Sequence, residues 1–206
     1  MSEQDIARAV EVVKNGGVVV YPTETAYGLG VDATNQVALE KLYALKAMPL
    51  SKPTHIAVLN IDEAEEYAYV DDRARALAKA FLPGPLTLVL PTKSTLPSIL
   101  EDSGRGERSI RIPSHPVALK LLELAGVPIT ATSANLHSKP TTYSIEEVKQ
   151  SIGNDFVNIG YVLDAGELPR TQPSTLVSLM SNKPSVLRQG PISLEQIMEV
   201  VGIIPH

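Results

Sequence analysis

The stretch that decides the fold is residues 18–30, which read VVVYPTETAYGLG. Its run of three valines predicts a buried strand over residues 18–21. The strand is followed by hydroxyls, a carboxylate and two glycines, and open α/β sheets bind ligands where their strands end. Turns that follow core strands use the same residue types. The stretch therefore predicts either a ligand-binding strand end or a polar turn, and its own residues favour neither.

The composition is that of an ordinary globular protein. The chain has 206 residues, of which 44% are hydrophobic and 20% charged, and this suits one domain with a sizeable core. It contains no cysteine, so disulfides and thiolate metal sites are excluded. No apolar run is long enough to cross a bilayer, and the amino terminus does not resemble a signal peptide. We therefore expect a single domain over residues 1–206, located in the cytoplasm, with no membrane partner.

The charge of the chain bears on its partners. The net charge of −5 argues against strong non-specific affinity for nucleic acid. Only 4% of the residues are aromatic and none is tryptophan, so a base-stacking platform is not expected. A protein of RNA metabolism can still act on small molecules alone, and direct binding of tRNA is expected to be weak or absent.

Apolar periodicity predicts helices mixed with strands. Helices are expected over residues 6–14, 37–46, 63–81, 115–125 and 193–201, and another is expected to begin at Ser144 with a capping box. Strands are expected over residues 18–21, 55–59, 86–90, 109–112, 129–132, 161–164, 174–179 and 186–187. Residues 91–108 predict a mobile, functional loop. This mixture indicates an α/β (α+β) fold with three layers around a mixed sheet.

Phosphate-binding chemistry, if present, must come from scattered side chains. The sequence has no Walker phosphate loop, dinucleotide fingerprint, HExxH or GxSxG motif. Arg111 lies within an apolar strand, where a forked contact to a ligand and a structural salt bridge are both open interpretations. Ser133 and Asn135 alternate along an extended segment and are expected to face the same way, either for a ligand or in a turn. The remaining candidate cations are Lys46, Lys52 and Arg188.

The histidines and a pair of aspartates give no metal site. His55, His115, His137 and His206 show no metal-ligand spacing, and no catalytic role is assigned to them. Asp71 and Asp72 precede a predicted helix, where carboxylates complement the helix dipole. No metal-binding residue is predicted.

Five further stretches combine apolar runs with polar residues. They are residues 46–53 (KAMPLSKP), 83–87 (PGPLT), 109–113 (SIRIP), 130–135 (TATSAN) and 173–177 (PSTLV). Together with residues 21–30, and in this order, they resemble the YrdC/Sua5 family of L-threonylcarbamoyladenylate synthases. The resemblance covers residues 16–190 and implies a twisted, mixed open sheet with helices on both faces and a basic concave surface. The chain resembles the short, single-domain branch of that family.

The resemblance also implies an activity. Family members make threonylcarbamoyl-AMP and pyrophosphate from L-threonine, bicarbonate (or CO2) and ATP, with Mg²⁺. A downstream tRNA threonylcarbamoyl-transfer machinery then moves the group to adenosine 37 of tRNA. In the family's reaction, a threonine carbamate attacks the α-phosphorus of ATP. Orientation and charge neutralisation can supply most of the catalysis, so no catalytic side chain is assigned.

By motif position, the resemblance implies two sets of binding residues. The positions that match threonine-binding residues are Thr23, Arg111, Ala131 and Ser174. The positions that match ATP-binding residues are Lys46, Ser133, Asn135, Thr141 and Arg188, to which Lys52 is added on charge and proximity.

One position departs from the family pattern. The family signature has lysine, any residue and then arginine, and here Met48 stands in the place of the arginine. The loss of a charge-assisted phosphate contact would weaken ATP binding by about 1.5–3 kcal/mol, unless Lys52 compensates. Met48 therefore keeps a second hypothesis open, a divergent nucleotide- or RNA-binding protein without synthase activity. A purely structural protein would leave the polar strand ends without a purpose.

Overall fold

The computed structural model describes residues 1–93, 95–101 and 106–202. Its α-helices are α1 (Glu3–Lys14), α2 (Gln36–Leu45), α3 (Ile61–Ala64), α4 (Asp72–Phe81), α5 (Pro116–Ala125), α6 (Ile145–Ile152) and α7 (Leu194–Val200). Its strands are β1 (Val19–Pro22), β2 (Tyr27–Gly30), β3 (Ile56–Ala57), β4 (Leu86–Pro91), β5 (Glu107–Arg111), β6 (Ile129–Thr130), β7 (Thr132–Ser133), β8 (Tyr161–Val162), β9 (Thr175–Ser178) and β10 (Ser185–Arg188). Across these ranges, no helix is long and apolar enough to span a bilayer.

The strands form two mixed sheets, and the α/β class predicted from the sequence is confirmed. The smaller sheet has the order β7-β2-β1-β8, with β1 antiparallel to β2 and parallel to β8. The larger sheet has the order β10-β9-β4-β5-β3-β6, in which β4 is parallel to β9 and antiparallel to β5. The single mixed sheet that the sequence predicted is thus divided into two sheets.

Strand β1 is buried on both of its faces. Val18 and Val20 pack into one hydrophobic core, whereas Val19 and Tyr21 pack into the other. Successive side chains of a strand point to opposite faces, so a continuous apolar run suits a strand that separates two cores. The valine run at the start of the deciding stretch therefore fixes this strand in the interior.

The segment after α5 passes from one sheet to the other. The sequence predicted one strand over residues 129–132, but β6 pairs with β3 in the larger sheet and β7 pairs with β2 in the smaller one. Ala131 lies between them and donates its N–H to the carbonyl of His55 at 2.7 Å. A bridge between Asp32 and Ile129 also joins the sheets at this point. The prediction of a single strand was wrong because the chain changes partners at Ala131.

The prediction of one long helix over residues 63–81 was also wrong. It is interrupted between α3 and α4, where Ala68 forms a bridge with Thr92 and Tyr69 donates its N–H to the carbonyl of Pro91. Asp71 then caps α4 by accepting the N–H of Ala74. Local pairing to a neighbouring strand and a new N-cap together outweigh the helical periodicity of this stretch.

Other boundaries differ by a few residues or concern details of capping. Ser144 caps α6, but the carboxylate of Glu147 accepts the N–H of Tyr143 at 2.7 Å, one residue before the position that a capping box requires. In the loop predicted over residues 91–108, the described part contains strand ends and a 3-10 turn at Ser98–Leu100. Residues 94 and 102–105 of that loop, and also His206, lie outside the described residues.

Helix α2 ends in a Schellman motif, which directs the chain into the next loop. Met48 donates its N–H to the carbonyl of Tyr43, and Ala47 donates to Ala44, both at 3.0 Å. Ala47 takes the left-handed conformation that this motif requires, with φ of 48°. In that conformation the Cβ of alanine clashes with the backbone, whereas glycine has no Cβ and is not strained.

We expect the Ala47→Gly substitution to stabilise the protein by about 0.5–1 kcal/mol, because glycine adopts the left-handed conformation without strain. The matched control is Ala44→Gly, since Ala44 is exposed within the same helix, and it should destabilise by about 0.5–1 kcal/mol. Denaturant unfolding of the three proteins measures both effects. A loss of stability in both variants would contradict the expectation.

Candidate active site

A cavity of about 290 Å³ opens where the ends of several distant segments meet. They are the turn between β1 and β2, the loop after α2, the end of β5, the crossing segment after β6, and the chain that leads into β9 and out of β10. The volume is close to the lower limit for small-molecule sites. All ten binding residues proposed from the sequence line this one cavity: Thr23, Lys46, Lys52, Arg111, Ala131, Ser133, Asn135, Thr141, Ser174 and Arg188.

Arg111 is the most deeply held of the cavity's arginines. It lies at the end of β5 with its side chain 9% exposed and forms an ion pair with Glu24. Nη1 and Nη2 also approach the hydroxyl of Thr25 at 3.3 and 3.4 Å. The structural salt bridge and the cavity-lining position that the sequence left as alternatives therefore occur together.

Thr23 organises the turn between β1 and β2. Its hydroxyl donates to the carbonyl of Ala26 at 2.7 Å and accepts the N–H groups of Thr25 and Ala26, each at 3.2 Å. The hydroxyl of Thr25 also lies 3.0 Å away, so the one donor and two acceptor positions of the Thr23 hydroxyl are taken within the turn. The turn interpretation of this stretch is thus correct for the hydroxyl, while the side chain still lines the cavity.

Lys46 joins the end of α2 to the segment after β7. Its Nζ donates to the carbonyls of Ser133 and Asn135 at 2.5 and 2.7 Å, and the side chain is buried. The pKa of Lys46 is lowered to about 8 by this burial. Ser133 Oγ donates to the side-chain oxygen of Asn135, so the two side chains face the same way, as the sequence predicted.

Ser174 and Arg188 form a second polar group across the cavity. Arg188 donates from Nε and Nη2 to the carbonyl of Ser174 at 3.2 and 3.0 Å, and Nη2 also reaches the Ser174 hydroxyl at 3.1 Å. Ser174 Oγ lies 2.7 Å from the hydroxyl of the buried Thr87. Burial, and then the neighbouring Arg111, lowers the pKa of Arg188. Two arginines therefore approach the cavity from one sheet, Arg111 from β5 and Arg188 from β10, with β4 and β9 between them.

The remaining proposed residues complete the wall. Lys52 is exposed at the mouth, and its carbonyl accepts the hydroxyl of Tyr43 at 2.8 Å. Ala131 and Thr141 line the cavity, and Met48 does so as well. The departure from the family signature is thus located in the cavity wall and not on a distant surface.

Two histidines in the cavity wall were missed by the sequence analysis. The pKa of His55 is lowered to about 3, mainly by burial and then by Arg188 and Arg111, so its ring is neutral at pH 7. His137 donates its N–H to the carbonyl of Lys46 at 2.8 Å and also lines the cavity. The usable signal was position, since each lies within three residues of a proposed binding residue. His115, in contrast, caps α5 through Nδ1.

The cavity is built to bind anions. Lysines, arginines, hydroxyls and an amide line it, and none of the lining residues in the described part of the chain is a carboxylate. Across residues 1–93, 95–101 and 106–202, no three acidic or histidine side chains group as a metal site. Concentrated positive charge of this kind suits phosphates and carboxylates.

Comparison with known proteins gives a family. The family model Sua5/YciO/YrdC, described as telomere recombination, matches residues 11–190. A threonylcarbamoyl-AMP synthase of Pyrococcus abyssi is 36% identical over 99% of this chain, which spans 59% of that relative's length. A putative threonylcarbamoyl-AMP synthase of Methanocaldococcus jannaschii is 33% identical over 96% of this chain and 93% of the relative.

Solved structures agree with the sequence relatives. The crystal structure of P. abyssi Sua5 complexed with L-threonine matches 99% of this chain and 59% of that one, with a TM-score of 0.91 and 36% identity. The crystal structure of Escherichia coli YciO matches 95% of this chain and 94% of that one, with a TM-score of 0.84 and 30% identity. The family predicted from the sequence motifs is confirmed, and the chain belongs to the Sua5/YciO/YrdC family.

Proposed function

We propose that this protein is a threonylcarbamoyl-AMP synthase, which makes threonylcarbamoyl-AMP and pyrophosphate from L-threonine, bicarbonate (or CO2) and ATP. The observation that carries the proposal is the convergence of nine motif residues and Lys52, from distant segments, on one cationic cavity. Relatives of 33–36% identity named as synthases, and a threonine complex of one of them, support the same activity.

The threonine end of the cavity is the region around Arg111. A guanidinium binds a carboxylate through a fork of N–H groups, and Arg111 retains a buried Nε that has no hydrogen-bond partner among the described residues. Thr23, Ala131 and Ser174 line the same cavity, and we assign them to the remainder of the amino acid. Within the described part of the chain Nη1 makes one hydrogen bond, to Thr25, so its second N–H is also available to a ligand oxygen.

The nucleotide end contains the remaining cations and amide. We assign Lys46, Arg188 and Lys52 to the phosphates, and Ser133, Asn135 and Thr141 to the rest of the nucleotide. Lys46 Nζ is held by two backbone carbonyls, so contact with a phosphate requires it to exchange at least one of them. Burial of the Lys46 ammonium group strengthens its attraction for phosphate, whereas Lys52 and Arg188 are exposed.

The lining fits Mg²⁺ as a companion of ATP and not as a resident metal. Mg²⁺ prefers oxygen ligands and commonly keeps water while it binds substrate phosphates. The described lining offers hydroxyls and an amide but no carboxylate. Phosphate oxygens and water would therefore supply most of its ligands, and Mg²⁺ would reduce the charge of ATP.

The residues of this cavity act by orientation and charge. The threonine amine and bicarbonate give a carbamate and water, and a carbamate oxygen then attacks the α-phosphorus, with pyrophosphate leaving. Arg111 at one end and Lys46 and Arg188 at the other can hold the two reactants in one cavity. Such positioning and neutralisation of phosphate charge need no side-chain nucleophile.

We further propose that the product passes to a tRNA threonylcarbamoyl-transfer machinery in the cytoplasm. The net charge of −5 and the scarcity of aromatic residues make direct tRNA binding weak or absent. The four cationic residues that line the cavity face an enclosed space, where they suit a small anion more than a nucleic-acid backbone.

Purified protein given threonine, bicarbonate, Mg²⁺ and ATP should release pyrophosphate only when threonine is present. A coupled pyrophosphate assay, repeated without each reactant in turn, measures this dependence. Release at the same rate without threonine would contradict the proposed function. ATP binding without any pyrophosphate release would favour the alternative of a nucleotide-binding relative, for which Met48 is the supporting observation.

The Arg111→Lys variant should raise the KM for threonine about 10–100-fold, since lysine keeps the charge but loses the fork. Steady-state kinetics with threonine as the varied substrate measure the change. Arg75→Lys is the matched control, because Arg75 forms its ion pairs with Asp62 and Glu65 on the surface. An unchanged KM in Arg111→Lys would remove Arg111 from the threonine site.

The Met48→Arg variant should tighten ATP binding about tenfold or more, because it adds a cation to a cavity that binds phosphates. Isothermal titration with ATP and Mg²⁺ measures the Kd. Met180→Arg, which adds the same charge outside the cavity, serves as the control. No tightening would show that the missing arginine does not limit affinity, as expected if Lys52 already compensates.

A further inference from the structure

Glu24 is a carboxylate that contacts the cavity residue Arg111, and neither the motifs nor the proposed function gives it a role. Its side chain is 17% exposed and lies in the turn between β1 and β2. One oxygen pairs with Nη2 of Arg111, and the other accepts the N–H of Ser114 at 3.1 Å. Glu24 is not among the residues that line the cavity, whereas both Thr25 and Arg111 are.

The contacts of Arg111 show what Glu24 does to its guanidinium. Nη1 and Nη2 both point to the hydroxyl of Thr25, and Nη2 also meets Glu24. The buried Nε has no partner within the described part of the chain. The guanidinium is thus held at its Nη atoms by two neighbouring residues of one turn. With the described residues as partners, two of its five N–H donors remain for a further acceptor, the Nε–H and the second N–H of Nη1.

The turn that presents Glu24 is itself fixed. Thr23 closes it with side-chain hydrogen bonds to the backbone of residues 25 and 26. From outside the turn, the hydroxyl of Thr171 lies 3.4 and 3.2 Å from the carbonyls of Glu24 and Thr25. A carboxylate that projects from such a backbone can hold a neighbouring cation in one orientation.

We propose that Glu24 is a positioning residue for amino-acid binding, which fixes the Arg111 guanidinium so that its remaining N–H donors meet the carboxylate of the substrate. The inference rests on the proposed function, since it assumes that Arg111 binds that carboxylate. Without Glu24, the hydroxyl of Thr25 is the one partner left to Arg111 among the described residues, and the guanidinium can turn toward water or other carbonyls in the cavity. Pre-organisation of this kind is expected to alter threonine affinity more than ATP affinity.

The opposite effect is physically possible and makes the inference testable. A carboxylate beside Arg111 also reduces the positive potential that attracts a second carboxylate. If that were its main effect, removing the charge of Glu24 would tighten threonine binding. The direction of the change therefore decides between positioning and competition.

The decisive variant is Glu24→Gln, which keeps the size of the side chain. Its amide can accept one hydrogen bond through oxygen, but its NH2 group then faces the N–H of either Arg111 or Ser114. We expect the Kd for threonine, measured by calorimetric titration of the full chain, to rise about tenfold. The KM for threonine should rise equally, while the KM for ATP stays within twofold of the wild type.

Glu24→Asp gives a second measurement, since it retains the charge on a shorter side chain. It should show a threonine Kd between those of the wild type and Glu24→Gln. The matched control is Glu147→Gln: Glu147 likewise pairs with an arginine, Arg170, and accepts a backbone N–H, but it does not line the cavity. This control should leave the threonine Kd unchanged, whatever it does to the melting temperature.

Each outcome has a definite meaning. Threonine binding as tight as the wild type, or tighter, in whichever Glu24 variant folds overturns the inference while leaving the proposed function intact. A parallel loss of threonine and ATP binding also overturns it, because it indicates a general structural role. Wild-type protein with neither threonine binding nor threonine-dependent pyrophosphate release removes the proposed function, and the inference with it.

Discussion

The need of the cavity's cations for oxygen partners is the constraint on which the site depends. Lys46 is only 3% exposed and takes its partners from the carbonyls of Ser133 and Asn135. Arg111 takes a carboxylate and a hydroxyl from the turn after β1, and Arg188 takes the carbonyl of Ser174. In each case the partner comes from a segment distant in sequence. Satisfying the charges therefore ties together the segments that form the cavity.

The same requirement gives the cavity its character. Only one of the cations described above pairs with a carboxylate, and that carboxylate lies outside the lining. Backbone carbonyls and hydroxyls stabilise a cation without cancelling its charge, so the cavity keeps its attraction for anions. Structure and binding are served by the same contacts, and a ligand can replace some of these oxygens with its own.

Much of the fold could be predicted because local patterns and tertiary contacts agree there. The valine run of β1 is buried on both faces, as a continuous apolar strand should be, and the serine at residue 193 caps α7. Prediction failed where a distant strand decided the outcome: Thr92 pairs with Ala68 inside the expected helix, and the chain changes sheets at Ala131. Periodicity is a local signal and contains no information about such partners.

The candidate site was predictable to a similar degree and for a similar reason. The motifs predicted which residues belong to the site, but not the contacts that these residues make with one another. The Thr23 hydroxyl makes its hydrogen bonds within its own turn, and His55 lines the cavity. Both facts depend on the three-dimensional path of the chain. Sequence order alone gives neither.

The change of sheets at Ala131 has a further consequence. The residues before and after Ala131 belong to different sheets, and Ala131 itself lines the cavity. A molecule bound there contacts the segment that joins the two sheets. Its binding energy then opposes separation of the two sheets, so occupancy of the cavity and resistance to unfolding are thermodynamically linked.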